Sequence, residues 1–177
     1  TRPGRGIRPL DAEGRAALLH PHAERAAHAE LYDLDEAETR PVSLGLICRP
    51  AERDAVLAGL PGQAGWTDDV AILLDGETAP PRTVAVPGFA HGAVRVAARP
   101  LASDFAAQRN ALQDLARGPW MLQLDADESL DPATGARLPA LAALAETGAV
   151  RSIGLARRNR VGGVLSDVFP DVQYRLN

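Results

Sequence analysis

The stretch "WMLQLDADESL", Trp120 to Leu130, passes from an apolar run into the carboxylates Asp125, Asp127 and Glu128. Carboxylates packed this closely repel one another, so they must take up protons or be neutralised by a metal ion or a guanidinium group. Oxygen-only donors at the end of a strand-like run suit a hard divalent cation, Mg²⁺ or Mn²⁺. Mg²⁺ commonly completes its shell with the oxygens of a substrate phosphate, so a metal-bound diphosphate is the natural ligand for Asp125 and Asp127. The plainer alternative is a solvated turn that caps a following helix, and spacing alone leaves both open.

The elements that must position these groups follow from periodicity. "VSLGLIC" (42–48), "VAILLD" (70–75), "AVRVAA" (93–98) and "WMLQLD" (120–125) have strand length and apolar bias. "RPAERDAVLAGLPG" (49–62) and "SDFAAQRNALQDLARG" (103–118) between them have helical spacing. Strand alternating with helix predicts an α/β fold, a Rossmann-like, mostly parallel sheet flanked by helices, with ligands beyond the carboxyl ends of the strands. In the second helix Ser103 or Asp104 caps the start, Phe105, Leu112 and Leu115 share a face, and Gly118 and Pro119 end it. A third helix is expected after the acidic cluster, capped by Asp131 with Pro132 in its first turn and kinked at Pro139. "VRSIGLARRNR" (150–160) and "DVQYRLN" (171–177) alternate as strands around the turn "VGGVLSD". Residues 1–41 form an N-terminal extension with an Ala-rich helix over 11–31, broken at Pro21, in which His20 and His22 read as solvated.

The 177 residues fit one domain, and 46% hydrophobic with 24% charged residues is the balance of a folded globular chain. A net charge of −4 offers no general pull toward nucleic acid or anionic membrane. Every basic side chain is Arg, which excludes lysine chemistry such as a Schiff base and leaves phosphate contacts to guanidinium groups. The lone Cys48, inside an apolar run, reads as a buried inert thiol. No run approaches the roughly eighteen apolar residues of a membrane helix and no signal-peptide core opens the chain. A cytoplasmic protein is therefore expected, with peripheral association at the inner membrane left open.

Residues 103–130, "SDFAAQRNALQDLARGPWMLQLDADESL", resemble the central signature of family 2 glycosyltransferases, in particular the branch acting on lipopolysaccharide cores. There an Arg-Asn pair lies on a helix, a Gly precedes an aromatic, and the next strand ends in Asp-Ala-Asp-Glu, a DXD motif. "RRNRVGG" (157–163), "FPDVQYRLN" (169–177) and "VSLGLICRPAERDAVLAGL" (42–60) are similar to other segments of the family. The resemblance implies a GT-A fold over 42–177 that transfers a sugar from a nucleotide-diphosphate sugar to a glycan or lipid-linked acceptor. It implies that Asp75 recognises the base, Asp125 approaches the ribose, and Asp127 with Asp125 holds the metal. Arg109 would pair with the acidic cluster or with phosphate, Arg175 would meet the leaving diphosphate, and Asn110 and Glu128 would support the site. No residue is nominated as general base, since the acceptor half that follows in the family is expected to be missing after Asn177.

Two alternatives stand beside this reading. The family's Asn-Glu pair is replaced here by Arg49 and Pro50, and its nucleotide loop by "DGETAPPRTVAVPG" (75–88), keeping Asp75 and loosely Thr78. A catalytically degenerate GT-A domain serving as an interaction module, with a protein partner, fits those departures. A haloacid-dehalogenase-type phosphatase would make Asp125 a nucleophile, but Ser129 stands where that signature has Thr or Val.

Overall fold

A computed structural model describes residues 34–148, 150–166 and 171–177. The expected helix over 11–31, with His20 and His22, lies outside the described residues. Strand β1 (Val42–Cys48) is followed by a 3-10 turn, α1 (Arg53–Gly59), a second 3-10 turn, β2 (Val70–Asp75), β3 (Ala79–Thr83) and β4 (Val94–Arg99). Next come α2 (Phe105–Gln113), β5 (Trp120–Asp125), α3 (Pro132–Gly135) and α4 (Leu138–Thr147). The chain closes with β6 (Ile153–Arg157), the short β7 (Arg160–Val161) and β8 (Val164–Leu165), and β9 (Asp171–Leu176).

Seven strands form one sheet in the order β3-β4-β2-β1-β5-β9-β6. β1 runs parallel to β2 and β5, and β2 parallel to β4. β3, β9 and β6 add antiparallel pairs at the flanks. The central strands are apolar on both faces because both are covered. Val70, Ile72 and Leu74 of β2 join Trp66 and the α4 residues Leu138, Ala142 and Ala145 on one face. Ala71 and Leu73 join Met121 and Leu112 of α2 on the other. From β1 the chain adds β2 and β4 to one side, then returns with β5 to the other, so the strand order reverses between β1 and β5. In parallel sheets that reversal opens a crevice at the carboxyl ends of the strands.

Asp104 accepts a hydrogen bond from Ala107 N at 2.9 Å and Asp131 one from Thr134 N at 3.0 Å, so both expected caps form. The expected kink at Pro139 is instead a break between α3 and α4. The proline sits in the first turn of α4, where its missing N–H costs nothing. Leu112 is fully buried, but Phe105 is 68% exposed, so the predicted apolar face of α2 does not reach its first turn. The small β7–β8 hairpin starts at Arg160, the last residue of the expected strand 150–160, and runs into the expected turn 161–167. β3 was not anticipated, because its prolines read as loop. Pro80 and Pro81 cannot donate to a ladder, and they are tolerated on an exposed edge strand at a register shift. No helix among the described residues is long and apolar enough to cross a membrane.

Candidate functional site

Asp75 and Asp125 end β2 and β5, the two strands that flank β1, at the same carboxyl edge. Two strand spacings across the sheet and a two-residue stagger along it put their backbones on the order of 12 Å apart. Asp75 accepts from Leu101 N at 2.8 Å and so pins the loop between β4 and α2. That loop carries Ala102 and Ser103 at φ 49° and 62°, left-handed conformations that side chains with a Cβ rarely adopt.

Asp125 meets two guanidinium groups. Arg109, presented by α2, donates through Nη2 to Oδ1 at 3.0 Å and Oδ2 at 3.3 Å. Arg175, near the end of β9, donates to Oδ2 at 2.7 Å and also to Glu128 Oε1 at 2.9 Å. Glu128 folds back along the turn after β5, accepting from Asp125 N through Oε2 at 3.1 Å. Its Oε1 also receives Arg157 Nη1 of β6 at 2.7 Å. Arg157 continues to Asp171, donating through Nη2 at 2.6 Å. The result is a chain of alternating charges, Arg109, Asp125, Arg175, Glu128, Arg157 and Asp171, that ties α2, β5, β9 and β6 together. Four of the residues expected at the site, Arg109, Asp125, Glu128 and Arg175, are brought together there.

Asp75, Asp127 and Asn110 stand apart from the chain of charges. Asp127 and Asn110 are exposed, and among the described residues neither side chain has a hydrogen-bond or ion-pair partner. Arg157 and Asp171 were missed by the sequence reading. A signal for Asp171 was present, since Asp171, Gln173 and Arg175 occupy alternate positions of one strand and so share a face. Arg157 had none, because nothing local tells which of Arg157, Arg158 and Arg160 turns toward the acids.

Fit to a divalent ion can be judged from these contacts. Both oxygens of Asp125 are engaged by guanidinium groups. No three His, Cys, Asp or Glu side chains among the described residues come together as a metal site. A bridge from Asp125 to Asp127 would therefore require Arg109 and Arg175 to yield. Asp127 is free to act as a single carboxylate ligand, which is sufficient for Mg²⁺ when phosphate oxygens and water fill the remaining positions.

Asp171 is held in its ionised form by its neighbours. The Asn159 amide, then Arg157, then Gln173 stabilise its ionised form and hold its pKa at about 2, below the ordinary 3.8. Because the folded value is the lower one, Asp171 contributes stability above the ordinary carboxylate range and loses it as pH falls toward about 2. Urea melts should therefore separate Asp171→Asn from the parent protein near about pH 5 and bring the two together near about pH 2. A gap that does not change with pH would remove this assignment. Burial pushes the Cys48 thiol up to about 11, which keeps it protonated and unreactive.

No protein-family model matches the chain, and no curated protein matches it.

Proposed function

We propose that the chain is the nucleotide-sugar domain of a GT-A glycosyltransferase of family 2 type, transferring a sugar from a nucleotide-diphosphate sugar to a glycan or lipid-linked acceptor. The observation that carries this reading is the convergence of Asp125, Glu128, Arg109 and Arg175 at the carboxyl edge, beside the point where strand order reverses. Arginine forks suit the oxygens of a diphosphate, and the edge position suits a nucleotide. Asp127 would hold Mg²⁺ or Mn²⁺ against that diphosphate. When bound, the ion supplies charge neutralisation for the departing nucleotide diphosphate. Arg175 orients the same group through fixed charge, and Arg109 holds the Asp125 carboxylate beside it. Asp75, already committed to Leu101 N through one oxygen, has its second oxygen for the base.

Calorimetry with UDP, GDP and their sugar conjugates, with and without Mn²⁺, tests the proposal. Binding that Mn²⁺ strengthens about tenfold, an increment lost in Asp127→Asn, is the expected result. Failure of every nucleotide and nucleotide sugar to bind would sink it.

A second reading is favoured by one observation: the carboxylates of the cluster already have countercharges in Arg109, Arg157 and Arg175. In an interaction module the motif would serve as an ionic clasp. Asp127→Ala would then change nothing in the protein's role, and the chain would co-purify with a stable protein partner.

A further inference from the structure

Arg175 holds a special place in the chain of charges. Its Nη2 serves two carboxylates, Asp125 at 2.7 Å and Glu128 at 2.9 Å. Each of these has a second guanidinium, Arg109 on Asp125 at 3.0 Å and Arg157 on Glu128 at 2.7 Å. Withdrawing Arg175 thus leaves neither acid bare. Withdrawing Arg157 instead strips Asp171 of its guanidinium. Withdrawing Arg109 leaves Asp125 dependent on the one Nη2 that Glu128 shares. Arg175 also carries a buried Nε–H with no hydrogen-bond partner among the described residues, the one such donor in the cluster. A buried donor without a partner is costly, and an acceptor that reached it would recover that cost. The Arg175 side chain is 12% exposed, whereas Asp125 beside it is 38% exposed and leaves the cluster open to solvent on that side.

We propose that Arg109 and Arg157 are positioning residues: by holding Asp125 and Glu128 they free Arg175 to pass to an incoming diphosphate oxygen, without need of a divalent ion. The proposal rests on the reading above in which a diphosphate binds at this edge, and it adds the exchange of partners that admits it. Loss of either positioning residue makes an acid reclaim Arg175 and weakens anion binding, although neither positioning residue touches the anion.

The test is calorimetry of the full chain with inorganic pyrophosphate in EDTA. The parent protein binds, and Arg175→Gln does not. Arg157→Gln binds about tenfold more weakly than the parent, yet shows no loss when introduced into Glu128→Gln, where no carboxylate is left to reclaim Arg175. Arg109→Gln behaves the same way against Asp125→Asn, and since Arg109 lies on the half-exposed face of α2 this pair covers the case in which Arg157→Gln does not fold. Equal losses in both backgrounds would mean that net charge alone acts, and would overturn the proposal. Absence of pyrophosphate binding to the parent, or unchanged binding in Arg175→Gln, would overturn it as well. Pyrophosphate binding with the expected coupling but no nucleotide binding would remove the nucleotide-sugar reading and leave the exchange standing. Nucleotide binding with equal losses would do the reverse.

Discussion

Replacing Asp69 by alanine is expected to destabilise the fold by about 3–5 kcal/mol and to lower Tm by on the order of 10 °C. Asp69 sits just before β2, at the end of the sheet opposite the acidic cluster, and is 6% exposed. Its Oδ1 receives Arg95 Nη2 of β4 at 2.6 Å. Its Oδ2 receives Ser43 Oγ of β1 at 2.7 Å and Arg117 N, ahead of β5, at 2.9 Å. Ser43 Oγ in turn accepts from Gly118 N at 2.9 Å. One carboxylate therefore fastens the starts of the parallel strands to one another. Alanine would leave Arg95, itself buried in the sheet, charged and without its counterion, which costs more than the pair contributes when intact. Asp69→Asn retains the acceptor for Ser43 and Arg117 and should lose less. Adding Arg95→Met to Asp69→Ala should recover much of the loss, because it removes the stranded charge. Urea melts of these proteins and of Arg95→Met alone decide the point, and a double variant as unstable as the sum of the Asp69→Ala and Arg95→Met singles would assign the effect to packing.

The parallel core was legible because each of its strands is an apolar run of strand length bounded by turn residues, and burial on both faces leaves little else to encode. β4 is the mildest example: 93–98 was expected, and Val94–Arg99 formed. The edges were less legible. β3 is specified by pairing with β4 rather than by its own residues, and a segment reading Ala-Pro-Pro-Arg-Thr carries a loop signal that only an edge position can override. Long-range ion pairs were least legible of all. The repulsion among Asp125, Asp127 and Glu128 was evident from adjacency, and it pointed to a countercharge. That the countercharge on Asp125 and Glu128 is arginine follows from register, since β9 inserts between β5 and β6 and brings Arg175 and Arg157 to acids 47 and 29 residues away. Asp69 shows the same limit. "TDDV" before a strand looks like a solvated turn, and only the neighbouring strands reveal Ser43 and Arg95 beside it.

Gly135→Ala should cost about 1–3 kcal/mol, while Gly59→Ala on the exposed α1 should be neutral or should stabilise by about 0.4–1 kcal/mol. Both glycines are helical, so alanine restrains the unfolded chain at each and the difference lies in the space around the new methyl group. Nothing lies within 4 Å of a Cβ built on Gly59. A Cβ on Gly135 would overlap the indole ring of Trp66, which is 9% exposed and rigid, so it cannot fold away as a flexible side chain would. Trp66 is also tied in place. Its Nε1 donates to Gln63 Oε1 at 2.7 Å, and Gln63 Nε2 donates to Leu130 O at 3.1 Å, where the turn that starts at Asp125 ends. Displacing the ring thus loosens the turn that carries Asp127 and Glu128, so a packing change under the sheet is passed to the ligand edge. Thermal melts should separate the two variants, and Trp fluorescence should shift to the red in Gly135→Ala alone. Equal stability of the two would show that Trp66 yields without cost and that the turn after β5 is held by its own caps.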